Sequence, residues 1–281
     1  MTALREAISA ATATLAAAGI DCARTDAELL AAHAAGIERG RLALVEVADS
    51  GFADRYGEAI RRRARRTPLQ HITGTVAFGP VQLRVGPGVF IPRPETESIL
   101  EWILAQHLRR NAMIVDLCTG CGALAVALAT ERPEARVIAV DDDAAALQYA
   151  AHNAATTGVR LVEADVTDPD LLADVVGAVD LVVANPPYIP AGVELEPEVA
   201  RFDPPHALFG GIDGMAVIRP VVRSAARLLR PGGLLALEHD DTTAEATMDV
   251  ISATDAFDDI AAHDDLAGRP RFVTARRRVR R

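Results

Sequence analysis

The sequence predicts an α/β fold: a doubly wound, mainly parallel sheet, with a small N-terminal all-α helical bundle joined to it by a β-hairpin. Three observations lead there. Apolar residues recur at helical spacing to about residue 70, short alternating segments broken by Gly and Pro follow, and from Glu95 strand-like runs alternate with helical ones.

At 281 residues the chain has room for a catalytic domain of ordinary size and a smaller companion. Half the residues are apolar, yet no apolar run approaches the roughly 18 to 20 residues that span a bilayer, so a soluble globular protein with no membrane association is expected. The first thirty residues read as amphipathic helix rather than secretory signal, which makes the expected location cytoplasmic. Cys22, Cys118 and Cys121 are too few, and odd in number, for a disulfide framework, and are expected reduced.

Net charge is −10 and every cationic side chain is arginine, which argues against broad electrostatic binding of duplex nucleic acid. Two basic runs stand out, "RRRARR" at Arg61–Arg66 and "RRRVRR" at Arg276–Arg281. Such runs are usually solvated faces or frayed ends, contact with an RNA-rich or acidic partner being the other reading.

In the helical region the breaks fall at Gly19, Gly36, Gly40 and Asp49-Ser50-Gly51. Thr25 and Glu28 match a capping box ahead of "LLAAHAAG", and a further helix is predicted from Ala53 to Arg66, ending before Pro68. The hairpin is expected around Val76–Phe78 and Val81–Val85. Then "AMIVDLC" precedes a helix from Ala123 and "RVIAVD" a helix from Ala144; "VRLVEAD", "VDLVVAN" and "GGLLALEHD" continue the parallel strands, and "GRPRFVTARRR" reads as a last strand. The domains expected are 1–72, 73–92 for the hairpin linker and 93–281.

Sheets of this kind bind ligands at the carboxyl ends of their strands, near the reversal of strand order. Asp116, Gly120 and Gly122 lie in such a loop, where glycine lets backbone approach a ligand and the next helix offers free N–H groups, so a nucleotide-like cofactor is expected. Asp141, about twenty residues on, is placed to bind a ribose, and Asp165 ends the third strand where it can face a base. Cys118 and Cys121 also form a C-x-x-C pair; with no second Cys pair or His cluster, a zinc or redox role is the weaker reading and no metal is expected.

The most informative stretch is "DLVVANPPYIP". Two consecutive prolines hold a turn rigid and leave carbonyls without internal donors. Asn185 adds a side-chain acceptor, and Tyr188 an aromatic wall. The turn is suited to a planar NH2 group, a poor nucleophile toward a saturated carbon unless acceptors orient its nitrogen and favour the charge that develops on it. A plain strand-ending turn is the alternative.

Taken together, "PLQHITG", "VFIPRPETE", "DLCTGCGALAVALA", "NPPYIP", "ALFGGIDG" and "DLAGRPRFV" resemble, in order and spacing over nearly the whole chain, the HemK/PrmC family. These are S-adenosylmethionine-dependent methyltransferases that modify the glutamine amide of the Gly-Gly-Gln motif in peptide-chain release factors. The resemblance implies a Rossmann-like methyltransferase domain, S-adenosylmethionine as cofactor with S-adenosylhomocysteine as product, and a release factor as protein partner engaged with help from the helical domain. It implies that Asn185, Pro186, Pro187 and Tyr188 hold the glutamine, and that Asp116, Cys118, Thr119, Gly120, Cys121, Gly122, Asp141, Asp165, Val166 and Asn185 form the cofactor site. It places Arg93 and Glu95 near the cofactor cleft. A monomer without stable nucleic-acid binding is expected.

The chain departs from the family pattern where Cys118 and Cys121 replace a Gly and a Ser, where Val166 replaces an aromatic residue, and in "EHDDTTAEA", which lacks the usual Glu-Ile-Gly and Gln-Gly and leaves Glu238 without an assigned role. The rivals are an adenine amino-methyltransferase, which would need base flipping, a glutamine methyltransferase acting on a ribosomal protein, and a non-enzymatic adaptor. Trp102 is expected in the core, His152 at the surface or in packing, His206 without a role, and Ala191–Gly214 as a wall over the substrate.

Overall fold

The structure, a computed structural model, describes residues 3–44 and 51–279; the break at Asp49-Ser50 and the last two arginines of the tail, Arg280 and Arg281, lie outside the described residues. The chain forms two compact units, Met1–Thr75 with Leu195–Phe202, and Val76–Glu194 with Asp203–Arg281.

The first unit is built on α1 (Ala3–Ala17), α2 (Ala23–Ala35), α3 (Phe52–Ala64) and the short α4 (Leu69–Thr73). Leu4, Ile8 and Leu15 of α1, Leu30 of α2 and Ile60 of α3 recur at helical spacing and meet in its core. Tyr56 joins them, its hydroxyl donating to the Ala27 carbonyl at 3.0 Å. The capping box does not form. Helix α2 starts at Ala23, two residues before Thr25, with no side-chain cap. Glu28 is drawn instead to Arg24 at 2.5 Å and Arg39 at 2.7 Å, two charged partners that outcompete a backbone N–H.

The "RRRARR" run is only partly a solvated face. Arg61 pairs with exposed Glu58, but Arg63 is buried between Asp26 at 2.6 Å and Glu198 at 2.9 Å. Arg66 donates to the Gly19 carbonyl at 2.5 Å and Arg62 to the His71 carbonyl at 3.2 Å. Helical spacing turns one face of a cationic run inward, and that face is tied by acids and carbonyls.

In the second unit, β1 (Thr75–Phe78) and β2 (Val81–Arg84) form the hairpin, and Phe78, Leu83 and Val85 enter the unit's core. There follow α5 (Glu97–Leu104), β3 (Met113–Leu117), α6 (Ala123–Glu131), β4 (Arg136–Asp141), α7 (Ala144–Asn153), β5 (Arg160–Glu163) and β6 (Val179–Ala184). After α8 (Pro197–Phe202), which belongs to the first unit, come α9 (Ile218–Leu228), β7 (Leu229–Glu238), α10 (Ala244–Ala253), β8 (Phe257–Asp264) and β9 (Pro270–Arg277).

The sheet order is β5-β4-β3-β6-β7-β9-β8, parallel except for β9, which runs antiparallel to both neighbours. Strand β6 is buried throughout because both faces are covered: Leu181 and Val183 belong to one core, Val182 and Ala184 to the other. Trp102 packs as expected, edge-on to Phe272 at 6.4 Å, and His152 is exposed. The order reverses between β3 and β6. Register aligns Leu117 with Val140 and Ala184, and Ala184 with Leu237, so four strand ends reach one edge together.

Candidate active site

At that edge β3 runs into Cys118-Thr119-Gly120-Cys121-Gly122 and then α6. Cys118 holds φ at 60°, a left-handed conformation that disfavours a side chain, which explains why glycine suits this position. The loop is fastened from β4: Thr119 N–H donates to the Val140 carbonyl at 3.0 Å, and Gly120 N–H to Asp141 Oδ2 at 2.7 Å. Asp141 Oδ1 accepts from Asp143 N–H at 3.0 Å. Burial raises the Asp141 carboxyl, and these two amides act against the rise.

Asp116 is 1% exposed. Its Oδ2 accepts from the Thr119 hydroxyl at 2.6 Å and from Ala125 N–H at 3.1 Å, while Oδ1 is buried without a hydrogen-bond partner among the described residues. Burial pushes its carboxyl up to about 7. Such an oxygen favours a cationic or donor group beside it.

Beyond the loop lies a cavity of about 290 Å³. Asp116, Cys118, Thr119, Gly120, Cys121, Asp141, Asp165, Val166, Asn185, Pro186, Pro187 and Tyr188 all line it. Gly122 does not: it stands as the cap of α6 at φ 87°. Asp165 is held by Thr167 N–H at 2.7 Å, which keeps its carboxyl low, and the buried Val166 gives an apolar wall without aromatic stacking. The residues fit S-adenosylmethionine: the bare Asp116 oxygen suits its ammonium group, and Asp141 keeps lone pairs for ribose hydroxyls.

Asn185 follows β6 directly and turns its Nδ2 to Thr96 Oγ1 at 3.2 Å. The other end of the amide, Oδ1, is thereby the acceptor left for a substrate N–H. Tyr188 donates its hydroxyl to Glu238 Oε1 at 2.9 Å, and burial beside that carboxylate pushes the phenol well above its ordinary range. The turn is braced by the segment that returns past it: Ile189 N–H donates to the Leu208 carbonyl, Gly210 N–H to the Ile189 carbonyl, both at 2.9 Å, and Ala191 N–H to the Gly211 carbonyl at 2.8 Å.

The cavity lining includes residues to which the sequence assigns no role. Thr96, Phe90 and His206 line the cavity, and His206 Nε2 lies 3.0 Å from Asp143 Oδ2. Arg93 and Glu95, expected near the cleft, are not among the lining residues; Arg93 lies 5.0 Å over the Phe90 ring and pairs with Asp203. A threonine just after "PRPE" carried no distinguishing signal, because its role depends on a residue 89 positions away.

Known proteins match the chain along nearly its whole length. Residues 6–74 match the PrmC N-terminal domain and residues 87–201 the methyltransferase small domain. A release factor glutamine methyltransferase of Mycolicibacterium smegmatis is 63% identical over 280 residues, covering 100% of both chains. That of Mycobacterium tuberculosis is 61% identical, covering 98% of this chain and 91% of its own. A 4-amino-L-phenylalanine/4-methylamino-L-phenylalanine methyltransferase of Streptomyces pristinaespiralis is 43% identical over 84% of this chain and 82% of its own. In fold, a T. thermophilus 16S rRNA methyltransferase solved with AdoMet and guanosine aligns with TM-score 0.52 at 19% identity, over 73% of this chain and 50% of its own. On full-length identity above 60% together with both matched domains, the chain belongs to the release factor glutamine methyltransferase family.

Proposed function

We propose that this protein transfers the methyl group of S-adenosylmethionine to the side-chain amide nitrogen of the glutamine in the Gly-Gly-Gln motif of peptide-chain release factors, leaving S-adenosylhomocysteine. The observation that carries the reading is the orientation of Asn185, whose Nδ2 is committed to Thr96 and whose Oδ1 is therefore the acceptor beside Pro186 and Pro187. An amide nitrogen gripped through its hydrogens by that oxygen and by a turn carbonyl is held with its lone-pair face toward the donor.

The cofactor supplies an electrophilic methyl on a sulfonium. Asp116 would hold its ammonium, Asp141 its ribose, and Val166 the side of its base, while Tyr188 walls the glutamine. On transfer the amide nitrogen would gain the methyl as its bond to sulfur breaks, and the proton the nitrogen sheds would pass to solvent. Asn185, Pro186, Pro187 and Tyr188 are the substrate-holding set, and no metal takes part.

Residues 1–72 are proposed to help engage the release factor, with 73–92 as linker and 93–281 as the catalytic domain, in a monomer working in the cytoplasm without stable nucleic-acid binding. The test is mass spectrometry of a purified release factor incubated with enzyme and cofactor. A gain of one methyl on the Gly-Gly-Gln glutamine is expected; transfer to an adenine base or to ribosomal protein, with the release factor untouched, would overturn the assignment.

A further inference from the structure

Behind the Asn-Pro-Pro-Tyr turn lies a buried polar cluster that the chemistry above leaves unused. Glu238, the last residue of β7, is 1% exposed. Its Oε1 accepts the Tyr188 hydroxyl at 2.9 Å, and its Oε2 is buried with no hydrogen-bond partner among the described residues. Thr96, 3% exposed, accepts from Asn185 Nδ2 at 3.2 Å. Of the two side chains of the turn, Tyr188 thus ends on that carboxylate and Asn185 on the buried Thr96 hydroxyl.

A hydroxyl has one hydrogen to give. Tyr188 gives its own to Glu238. Thr96 receives an N–H on its oxygen, so its hydrogen must point elsewhere, and its hydroxyl is one of the groups that stabilise the Glu238 charge. Were that hydrogen to turn to the unpartnered Glu238 Oε2, the Thr96 lone pairs would be left to accept, and Asn185 would present NH2 to Thr96 and Oδ1 to the cavity. A donor in place of the carboxylate would reverse the Thr96 hydroxyl and remove the reason for that amide orientation.

We propose that Glu238 is a positioning residue for methyl transfer, setting Tyr188 directly and Asn185 through Thr96. The proposal rests on the glutamine reading above and deepens it, since Glu238 is not among the residues that line the cavity. Burial pushes its carboxyl up to about 7; the Thr96 and Tyr188 hydroxyls and Arg271 on β9 act against that rise, and Glu95 adds to it. Arg271 is itself tied to Asp265 at 3.2 Å, and His239, next in the chain, is kept neutral-leaning by burial. Protonation of Glu238 therefore loosens the turn as pH falls below about 7.

The test uses the full chain with E238Q, T96V and T96S, after thermal melts confirm that each folds. At saturating cofactor, E238Q and T96V are expected to lower kcat about 10- to 100-fold, the scale of a small misplacement of reacting groups. Cofactor affinity by calorimetry and KM for the release factor should stay within about threefold, and T96S should regain most of what T96V loses. The kcat of the unaltered protein should fall on the acid side of about pH 7, a limb absent from E238Q. Independently of turnover, the Asn185 NH2 resonances, assigned by their loss in N185D, should titrate in the unaltered protein and not in E238Q. Normal kcat in E238Q and T96V, or Asn185 resonances unchanged by E238Q, would overturn the proposal; a release factor left unmethylated while those resonances titrate overturns the glutamine reading alone.

Discussion

Gly214 lies so close to the Tyr188 carbonyl that a Cβ at position 214 would sit 2.3 Å from the oxygen. Its φ of 73° is itself a left-handed value. The oxygen cannot step aside cheaply because it is backbone, and the Cβ is fixed by the backbone that carries it. Gly214→Ala is expected to cost about 3 kcal/mol from conformational strain and overpacking together, and to lower turnover about 100-fold by shifting the turn. Gly192→Ala, at φ 91° but with nothing within 4 Å, should cost only about 1 kcal/mol. Thermal melts and turnover of the two variants, side by side, separate close approach from backbone conformation.

Removing the Asn185 amide tests the acceptor directly. Asn185→Ala deletes Oδ1 and leaves the Asp116 and Asp141 positions intact, so kcat should fall about 100- to 1,000-fold, the cost typical of one preorganised polar group. A variant that still turned over at the native rate would remove Asn185 from the chemistry.

Much of this was legible because the site is local in sequence. The strand "VDLVVA" is buried on both faces and therefore reads as a continuous apolar run, and the glycine loop and the Pro-Pro turn announce themselves by composition. Strand β8 was not legible: "FDDIAAHD" buries mainly Phe257, and its pairing with β9 supplies what its pattern lacks. The same holds for α8, whose Glu198 finds Arg63 only after the chain folds back on the first unit. Thr25 and Glu28 had the right spacing for a cap, and distant Arg39 took the glutamate. Thr96 and Glu238 belong to this second class, being polar residues whose partners are set by tertiary structure.

Asp116 should make cofactor binding depend on pH. Its folded carboxyl sits at about 7, raised from 3.8 by burial, so the folded protein holds a proton that the unfolded chain releases. Its contribution to stability without cofactor accordingly declines as pH rises between those values. A bound ammonium favours the ionised form, so affinity for S-adenosylmethionine should rise with pH up to about 7, by at most about tenfold per unit, and then level. Calorimetry from acid to neutral pH should show this slope, and Asp116→Asn should flatten it.

The two thiols of the loop should be poor nucleophiles. Burial, together with Asp141, Asp116, Asp142 and Asp165, raises Cys118 well above its ordinary value, and burial pushes Cys121 up to about 12. The thiolate is the reactive form, so iodoacetamide near pH 7.5 should label exposed Cys22 first and the other two slowly. Peptide mapping against time reads the order directly, and fast labelling of Cys118 would contradict the electrostatics.

Arg63 carries the last prediction, because it decides what the basic run is for. Its side chain is 9% exposed and that of Asp26 8%, with 2.6 Å between them. Truncating one member of such a pair strands the other charge in a site that cannot solvate it, a loss of about 3 to 5 kcal/mol. Arg63→Met should therefore speed hydrogen exchange across α2 and α3, whereas Arg61→Ala, which breaks an exposed pair with Glu58, should leave it unchanged because such contacts are worth less than about 1 kcal/mol. Adding Asp26→Leu to Arg63→Met should restore much of the protection, since the stranded carboxylate is then gone and an apolar contact replaces it. Equal effects of Arg63→Met and Arg61→Ala would instead return the whole run to the status of a solvated cationic face.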